Sequence, residues 1–463
     1  MKSGLVQSAF LFALAEFNSA SASDPVCIVG AGPGGLTIAH ELEAKGISTV
    51  TFEKQPEVGG KCQAYYDGPN QSIFHPMGAL LFTNQTYKDT LPLVRAANLP
   101  LTPGVSQPNG WQYWLYGPDA QASNVTKMPP ASDAETALVI AEIARYTVEW
   151  EAEFAPKYIA LRYTNGVPQQ LTVPFGDWLK SKAYIAIPTI VEAGMVPYGY
   201  GDITQTPAIY MLQYFTPEVL SAFVGITQGY IVDFHKVFVH YAQSVKGPVH
   251  TNTTVTQIDR TGTSPVITYS SSGQEANITC SSVVLAFPPT IANLDAINMP
   301  LTANETAVFT KVGITPYWSS ATATKIAYPF FYQQSPPEPL GEPVGFLRVF
   351  NGSPIATTYS WGPPGSENTL SLADVRQNLI NTITAVQTGA GIADPTVSED
   401  DVKDLRQWDY FPHFATTDLQ GGAYAEFNAV QGVKGTYYSS GLNGFETVEF
   451  AIRAGKDLVK SFF

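Results

Sequence analysis

The stretch VCIVGAGPGGLTIAHELEAKGISTVTFEKQPEVGGKC, Val26 to Cys62, decides the fold. It opens on VCIVG, a short β-rich apolar run of the kind a strand buried on both faces requires. Gly30, Gly32 and Gly35 then supply the spacing GxGxxG. LTIAHELEAKG follows with apolar residues at Leu36, Ile38, Ala39 and Leu42, a helical pattern closed near Gly46. STVTFEK reads as the next strand, ending at Glu53. In this strand, turn, helix, strand setting the glycines form a dinucleotide clamp. Gly30 permits the tight turn, Gly32 lets the backbone approach a pyrophosphate, and Gly35 lets the helix pack on the strand. Pro33 and Gly34 open the helix, whose free amides face the phosphates. Glu53, followed by Lys54, is placed to accept hydrogen bonds from an adenosine ribose and disfavours a phosphorylated one.

The rest of the composition bounds what such a clamp serves. The chain has 463 residues, 44% of them apolar and 12% aromatic, enough for two or three domains. Its net charge of −14 argues against nucleic acid and anionic membrane as partners. Residues 1–22 have the order of a signal peptide: Lys2, an apolar run from Leu5 to Leu14, then small residues including Ala20 and Ala22. No other stretch is long and apolar enough to span a membrane. Acceptor sequons stand at Asn70, Asn84, Asn124, Asn252, Asn277, Asn304 and Asn351. Leader and sequons together predict the secretory pathway and N-glycosylated surface loops. Cysteine is sparse: Cys27, Cys62 and Cys280 allow at most one bridge and leave at least one thiol free. Cys27 and Cys280, at predicted strands, read as small buried core residues. No zinc-ligand spacing occurs, and no metal is expected.

After Glu53 the chain reads EKQPEVGGKC, with Gly59 and Gly60 forming a second bare turn beside a cation, Lys61. This arrangement resembles the flavin amine oxidase and carotenoid desaturase superfamily. There a glutamate is followed by Gly-Gly-Arg, and the two close over FAD. Here Lys keeps the charge but loses the bidentate fork of Arg. IFHPMGALLF, around Met77, Gly78 and Ala79, resembles the segment that lies against the isoalloxazine. PVHTNTTVTQIDR and SSVVLAFPPTI resemble two strands returning to the cofactor domain, with Val255 at the adenine and Ala286 near the flavin. GTYYSSGLNGFETVEFAIRAG resembles the C-terminal flavin motif: a strand ending at Gly441, a helix starting near Phe445, and the amides of Thr447 and Val448 facing the pyrimidine edge. Two residues depart from the pattern. Leu442 stands where an acid usually binds the ribityl chain, a role Asn443 is placed to take, and Phe450 stands where a small residue is usual.

The resemblance implies FAD as cofactor and an α/β fold: a discontinuous Rossmann-like FAD-binding domain with an α+β substrate domain, amine oxidase-like. The FAD domain is expected at 24–95, 240–315 and 405–463, and the substrate domain at 96–239 and 316–404. DAETALVIAEIARYTVEWEAEF reads as a packed amphipathic helix, and KIAYPFFYQQ and PVGFLRVF as antiparallel strands joined by a proline-rich loop. No second strand-linked GxGxxG follows, so no nicotinamide domain is evident. Electrons from the flavin go to an external acceptor or back to the substrate.

Chemistry is less legible. Hydride transfer to a flavin needs a positioned C–H bond and a dry pocket more than a catalytic motif. Tyr437 and Tyr438, just before the C-terminal motif, are candidates for orienting substrate, though both also suit a plain strand. Tyr198 and Tyr200 in PYGYG are the most pocket-like aromatics, and Arg348 is a candidate cation for a substrate carboxylate. EKQPEVGGKCQAYYDG, VPYGYGDITQTPAIYMLQYF and QWDYFPHF resemble a secreted fungal subgroup that includes β-cyclopiazonate dehydrogenases, with bacterial relatives that isomerise polyunsaturated fatty acids. This implies two-electron oxidation of a small apolar or aromatic substrate, β-cyclopiazonate, a prenylated indole–tetramic acid, with ring closure to α-cyclopiazonic acid, in secondary (mycotoxin or alkaloid) metabolism. A fatty acid double-bond isomerase, an amine oxidase and a non-catalytic FAD-binding protein remain alternatives, and the oligomeric state is open.

Overall fold

The computed structural model describes residues 24–104, 113–117, 125–155, 161–326, 330–332, 340–350, 352–365 and 369–463. The expected leader at 1–22 and the sequons Asn124 and Asn351 lie outside them. A five-stranded parallel sheet carries the clamp. Its order is Val249–His250, Thr49–Phe52, Val26–Val29, Ser282–Leu285, Thr436–Tyr438. The central strand reads as near-continuous apolar residues because helices cover both faces of such a sheet. The helix Pro33–Ala44 packs on it beside the C-terminal helix Val448–Phe462. Two of these strands come from the expected return segments and a third from the C-terminal flavin motif, so three distant stretches of chain build one sheet.

A second sheet of seven strands forms the other body. It runs Val402–Phe414, Val312–Ala323, Ile355–Trp361, Pro343–Leu347, Phe330–Tyr332, Tyr113–Leu115, Thr126–Lys127. Phe330–Tyr332 and Pro343–Leu347 pair antiparallel, as their pattern predicts. The expected boundaries at 315/316 and 404/405 fall inside Val312–Ala323 and Val402–Phe414. Those two strands pair from Val312 with Phe414 to Thr322 with Val402, and a continuous ladder cannot be divided between bodies. Helices Asp133–Glu153, Phe175–Ser181, Ile187–Met195 and Ala208–Tyr214 pack over a core rich in aromatics, including Tyr146, Phe175, Tyr210 and Phe215. The first of these is the predicted amphipathic helix. Ser132 caps it: its side chain accepts from Glu135 N–H, while Glu135 reaches back to the Ser132 backbone.

Cys27 and Cys280 are buried, as read from the sequence, and they form the one bridge that three cysteines allow. The bridge ties the clamp strand to the chain entering Ser282–Leu285. Cys62 is free and buried. Replacing both bridged cysteines by serine is expected to cost about 2–4 kcal/mol, because the open chain regains the entropy of a very long loop. Guanidinium midpoints of oxidised wild type and variant check this; unchanged midpoints would contradict it.

Candidate active site

The glycine turn sits where its chemistry requires. A Cβ at Gly35 would lie 1.9 Å from the Gly30 carbonyl oxygen, so only glycine lets helix and strand approach. The helix begins at Pro33 with no side-chain cap, which leaves its first amides for a ligand. Across the turn, a Cβ at Gly60 would meet the Gly32 Cα at 2.9 Å: the two bare turns face each other. The Lys61 carbonyl oxygen accepts from Ala79 N–H at 3.3 Å, so the Gly78–Ala79 segment buttresses the second turn. Glu53 is buried, its Oε2 accepting from Ala31 N–H and its Oε1 from Gln55 N–H, both at 2.8 Å. A carboxylate has about four acceptor sites, so two amides leave room for ribose hydroxyls.

One cavity of about 680 Å³ joins this clamp to a chamber of aromatic side chains. Gly30, Gly32, Pro33, Gly34, Glu53, Lys54, Gly60, Lys61, Gly78, Ala79, Val255, Ala286, Gly441, Thr447 and Val448 all line it, as do Tyr198 and Tyr200. The remaining assignments fall elsewhere. Gly35 acts behind the clamp. Met77 turns its side chain away, against Ala321 and Ile355. The C-terminal helix starts at Val448 with Thr447 as its cap, not near Phe445. Phe445 packs under the chamber against Tyr200, Tyr214 and Phe411. Asn443 is buried and bonded to Ser440 N–H and the Tyr438 carbonyl, so it does not stand in for the missing acid.

The two candidate catalytic tyrosines are corrected by the same geometry. Neighbouring strand residues point to opposite faces, and neither face opens on the cavity. Tyr437 packs against Phe462 and Phe463, with ring centroids 5.3 and 4.9 Å away. Tyr438 is fully buried and donates to Glu305 Oε1 at 2.6 Å. Arg348 is corrected too: its guanidinium donates to the backbone carbonyls of Ser353 and Ile326, both at 2.8 Å, and it does not line the cavity.

The chamber wall comes from Tyr198, Tyr200, Tyr214, Tyr317, Trp408 and Tyr410. Its placement rests on a bulge. Gly313 pairs with His413 but Thr315 with Tyr410, so Val402–Phe414 carries one extra residue there, and Phe411 takes a φ of 48°. Phe411 thereby turns into the core while Tyr410 lines the cavity. Tyr410 stacks on Tyr317 at 4.7 Å and donates to the Tyr200 hydroxyl at 2.8 Å; Tyr200 donates to the Glu446 carbonyl at 3.1 Å. Burial pushes both phenols well above their usual range, so they stay protonated donors. Sequence reasoning missed Glu446, Tyr317 and Asp409 in the lining. Glu446 gave one usable signal, its place just before the capping threonine of the flavin-motif helix.

Residues 28–97 match the family of NAD(P)-binding Rossmann-like domains. The match reports the nucleotide-binding unit, which several dinucleotides share. Solved structures similar over nearly the whole chain include a conjugated-linoleic-acid-producing fatty acid isomerase from P. acnes. Its TM-score is 0.77 at 21% identity, covering 96% of this chain and 100% of that one. They also include a putrescine oxidase, with a TM-score of 0.62 at 16% identity, covering 94% and 98%. The fold is amine oxidase-like. Among curated relatives, an FAD-dependent oxidoreductase of Apiospora sacchari is 24% identical over 437 residues, 89% of this chain and 87% of the relative. A β-cyclopiazonate dehydrogenase of Aspergillus flavus is 23% identical over 306 residues, covering 64% and 62%. FAD is the cofactor that the clamp, the second glycine turn and the Thr447 helix start fit together. Gly30–Gly34 would hold its pyrophosphate, Glu53 its ribose, and Lys61, Gly78, Thr447 and Val448 its ring.

Proposed function

We propose that the protein is an FAD-dependent dehydrogenase that oxidises a small, apolar, aromatic molecule by two electrons. The observation that carries this is one continuous cavity running from the dinucleotide clamp into the tyrosine chamber. FAD supplies a hydride acceptor when bound. The chain's part is to hold a C–H bond in a chamber of rings that exclude water. The kinship to an FAD-dependent oxidoreductase and to a β-cyclopiazonate dehydrogenase supports oxidation and ring closure of a β-cyclopiazonate-like indole, in secondary metabolism, with an external electron acceptor. A fatty acid isomerase needs a cation for the carboxylate. The described cavity offers Lys54 beside Glu53, and Lys61, which is paired with Glu446. A secretory setting is supported by the leader-like N-terminus, the disulfide, and the exposure of Asn70, Asn84, Asn252, Asn277 and Asn304.

Anaerobic flavin absorbance tests the reading. β-Cyclopiazonic acid is expected to bleach the flavin, with colour restored by an acceptor. An unbleached flavin with linoleate converted to a conjugated diene would replace this reading with the isomerase. No response to either compound would remove the substrate assignment and leave the FAD site.

A further inference from the structure

Glu446 sits at the mouth of the C-terminal helix, one residue before its cap, and lines the cavity. Its Oε1 is 3.0 Å from Lys61 Nζ. Its Oε2 is buried without a hydrogen-bond partner among the described residues. A buried carboxylate oxygen with no donor calls for an explanation. The free oxygen lies against Gly441, where a Cβ would come within 2.5 Å of it, so glycine at 441 is what makes room for the carboxylate. The other cavity carboxylates are engaged: Glu53 by two amides, and Asp409 by the Asn293 side chain at 2.8 Å. The groups facing Glu446 are Lys61 from the second glycine turn, Cys62 beside it, Tyr200 from its loop and Tyr410 from the bulged strand. Burial, reinforced by the Glu446 charge, holds the Cys62 thiol protonated. The two tyrosines are held protonated in the same way. None of the three can act as a base.

We propose that Glu446 is the proton acceptor of this cavity, taking up one proton when the flavin there is reduced. The proposal rests on the FAD reading above and deepens it. Dehydrogenation breaks two bonds to hydrogen in the substrate. One hydrogen leaves with its electron pair to the oxidised flavin. The other leaves as a proton to Glu446 Oε2, and its bonding pair forms the new π bond or ring bond. When an external two-electron acceptor reoxidises the flavin, Glu446 returns its proton to solvent. Lys61 serves as the fixed counter-ion of the carboxylate form.

The test needs no substrate. The midpoint potential of the flavin holoprotein is measured against reference dyes during photoreduction, as a function of pH. A tenfold change in proton activity moves a two-electron couple by about 30 mV for each proton taken up. In the pH range where the reduced flavin itself takes up one proton, wild type is expected to show a two-proton slope, Glu446→Gln a one-proton slope, and Glu446→Asp the two-proton slope again. Equal slopes in wild type and Glu446→Gln overturn the proposal. A normal flavin spectrum with a one-proton slope in wild type also overturns it and leaves the FAD reading standing. A chain that takes up no flavin overturns both. If Glu446→Gln fails to hold flavin, the infrared difference spectrum of photoreduced wild type decides. A protonated-carboxyl band that shifts in Glu446→Asp supports the assignment, and absence of the band overturns it.

Discussion

A Gly35→Val variant is expected to lose bound flavin by at least about tenfold, the equivalent of ~1.4 kcal/mol. The added Cβ would sit 1.9 Å from the Gly30 oxygen, 3.1 Å from its carbonyl carbon and 3.3 Å from the Ala286 Cβ. Two of these neighbours are backbone on the clamp turn itself, so relief requires the turn to open. Opening carries the helix amides away from the phosphates they would bind. Gly46→Ala is the matched control. Gly46 has a φ of 79° and nothing within 4 Å of a built Cβ, so its cost is local backbone strain, with flavin retained. The ratio of flavin to protein absorbance in the two purified variants reads the difference. Equal flavin content would contradict the role assigned to Gly35.

The second large effect lies behind the sheet. Arg260 and Glu305 form a bidentate pair, with contacts of 2.7 and 3.0 Å, both side chains essentially without solvent exposure. Glu305 also accepts from Thr302 N–H and from the Tyr438 hydroxyl. Glu305→Ala leaves the guanidinium buried without its counter-charge and is expected to cost about 3–5 kcal/mol. Burial by itself would raise the Glu305 carboxyl. Arg260, the Thr302 amide and the Tyr438 hydroxyl outweigh it and hold the group below its ordinary value of about 4.5. A depressed folded value means the contribution is present above that ordinary value and is lost as the pH falls through the lower one. Denaturant midpoints are therefore expected to differ widely between wild type and Glu305→Ala at neutral pH, and to converge on acidification below about 4.5. A gap that stays constant with pH would contradict the assignment.

The same cluster shows where sequence reading stops. Val26–Phe52 was legible because turn, helix and strands are consecutive, and local spacing alone places Gly30, Gly32, Gly35 and Glu53. The second turn at Gly59–Gly60 was legible by resemblance, and the structure brings it within van der Waals contact of the first. Tyr438 read as a candidate in the pocket because a strand residue next to a flavin motif has two faces. Only the partner on the hidden face, Glu305, settles which one it uses. Arg348 failed for a similar reason: its carbonyl partners belong to Ser353 and Ile326, and no side-chain pattern announces them. Tyr410 and Phe411 stand side by side in QWDYFPHF, with nothing in that stretch to tell their faces apart. The bulge that sends one to the cavity and the other to the core depends on pairing with Gly313 and Thr315, nearly a hundred residues away. Two expected boundaries fall inside Val312–Ala323 and Val402–Phe414 because a long strand gives no local mark of its extent.

The measurement that tests the account most directly is the flavin content of the purified full chain. The account predicts a yellow protein that releases one FAD per chain on denaturation and loses its colour when Gly35 is replaced by Val. A colourless chain that takes up no added FAD, or a chain that releases a different nucleotide, would contradict it.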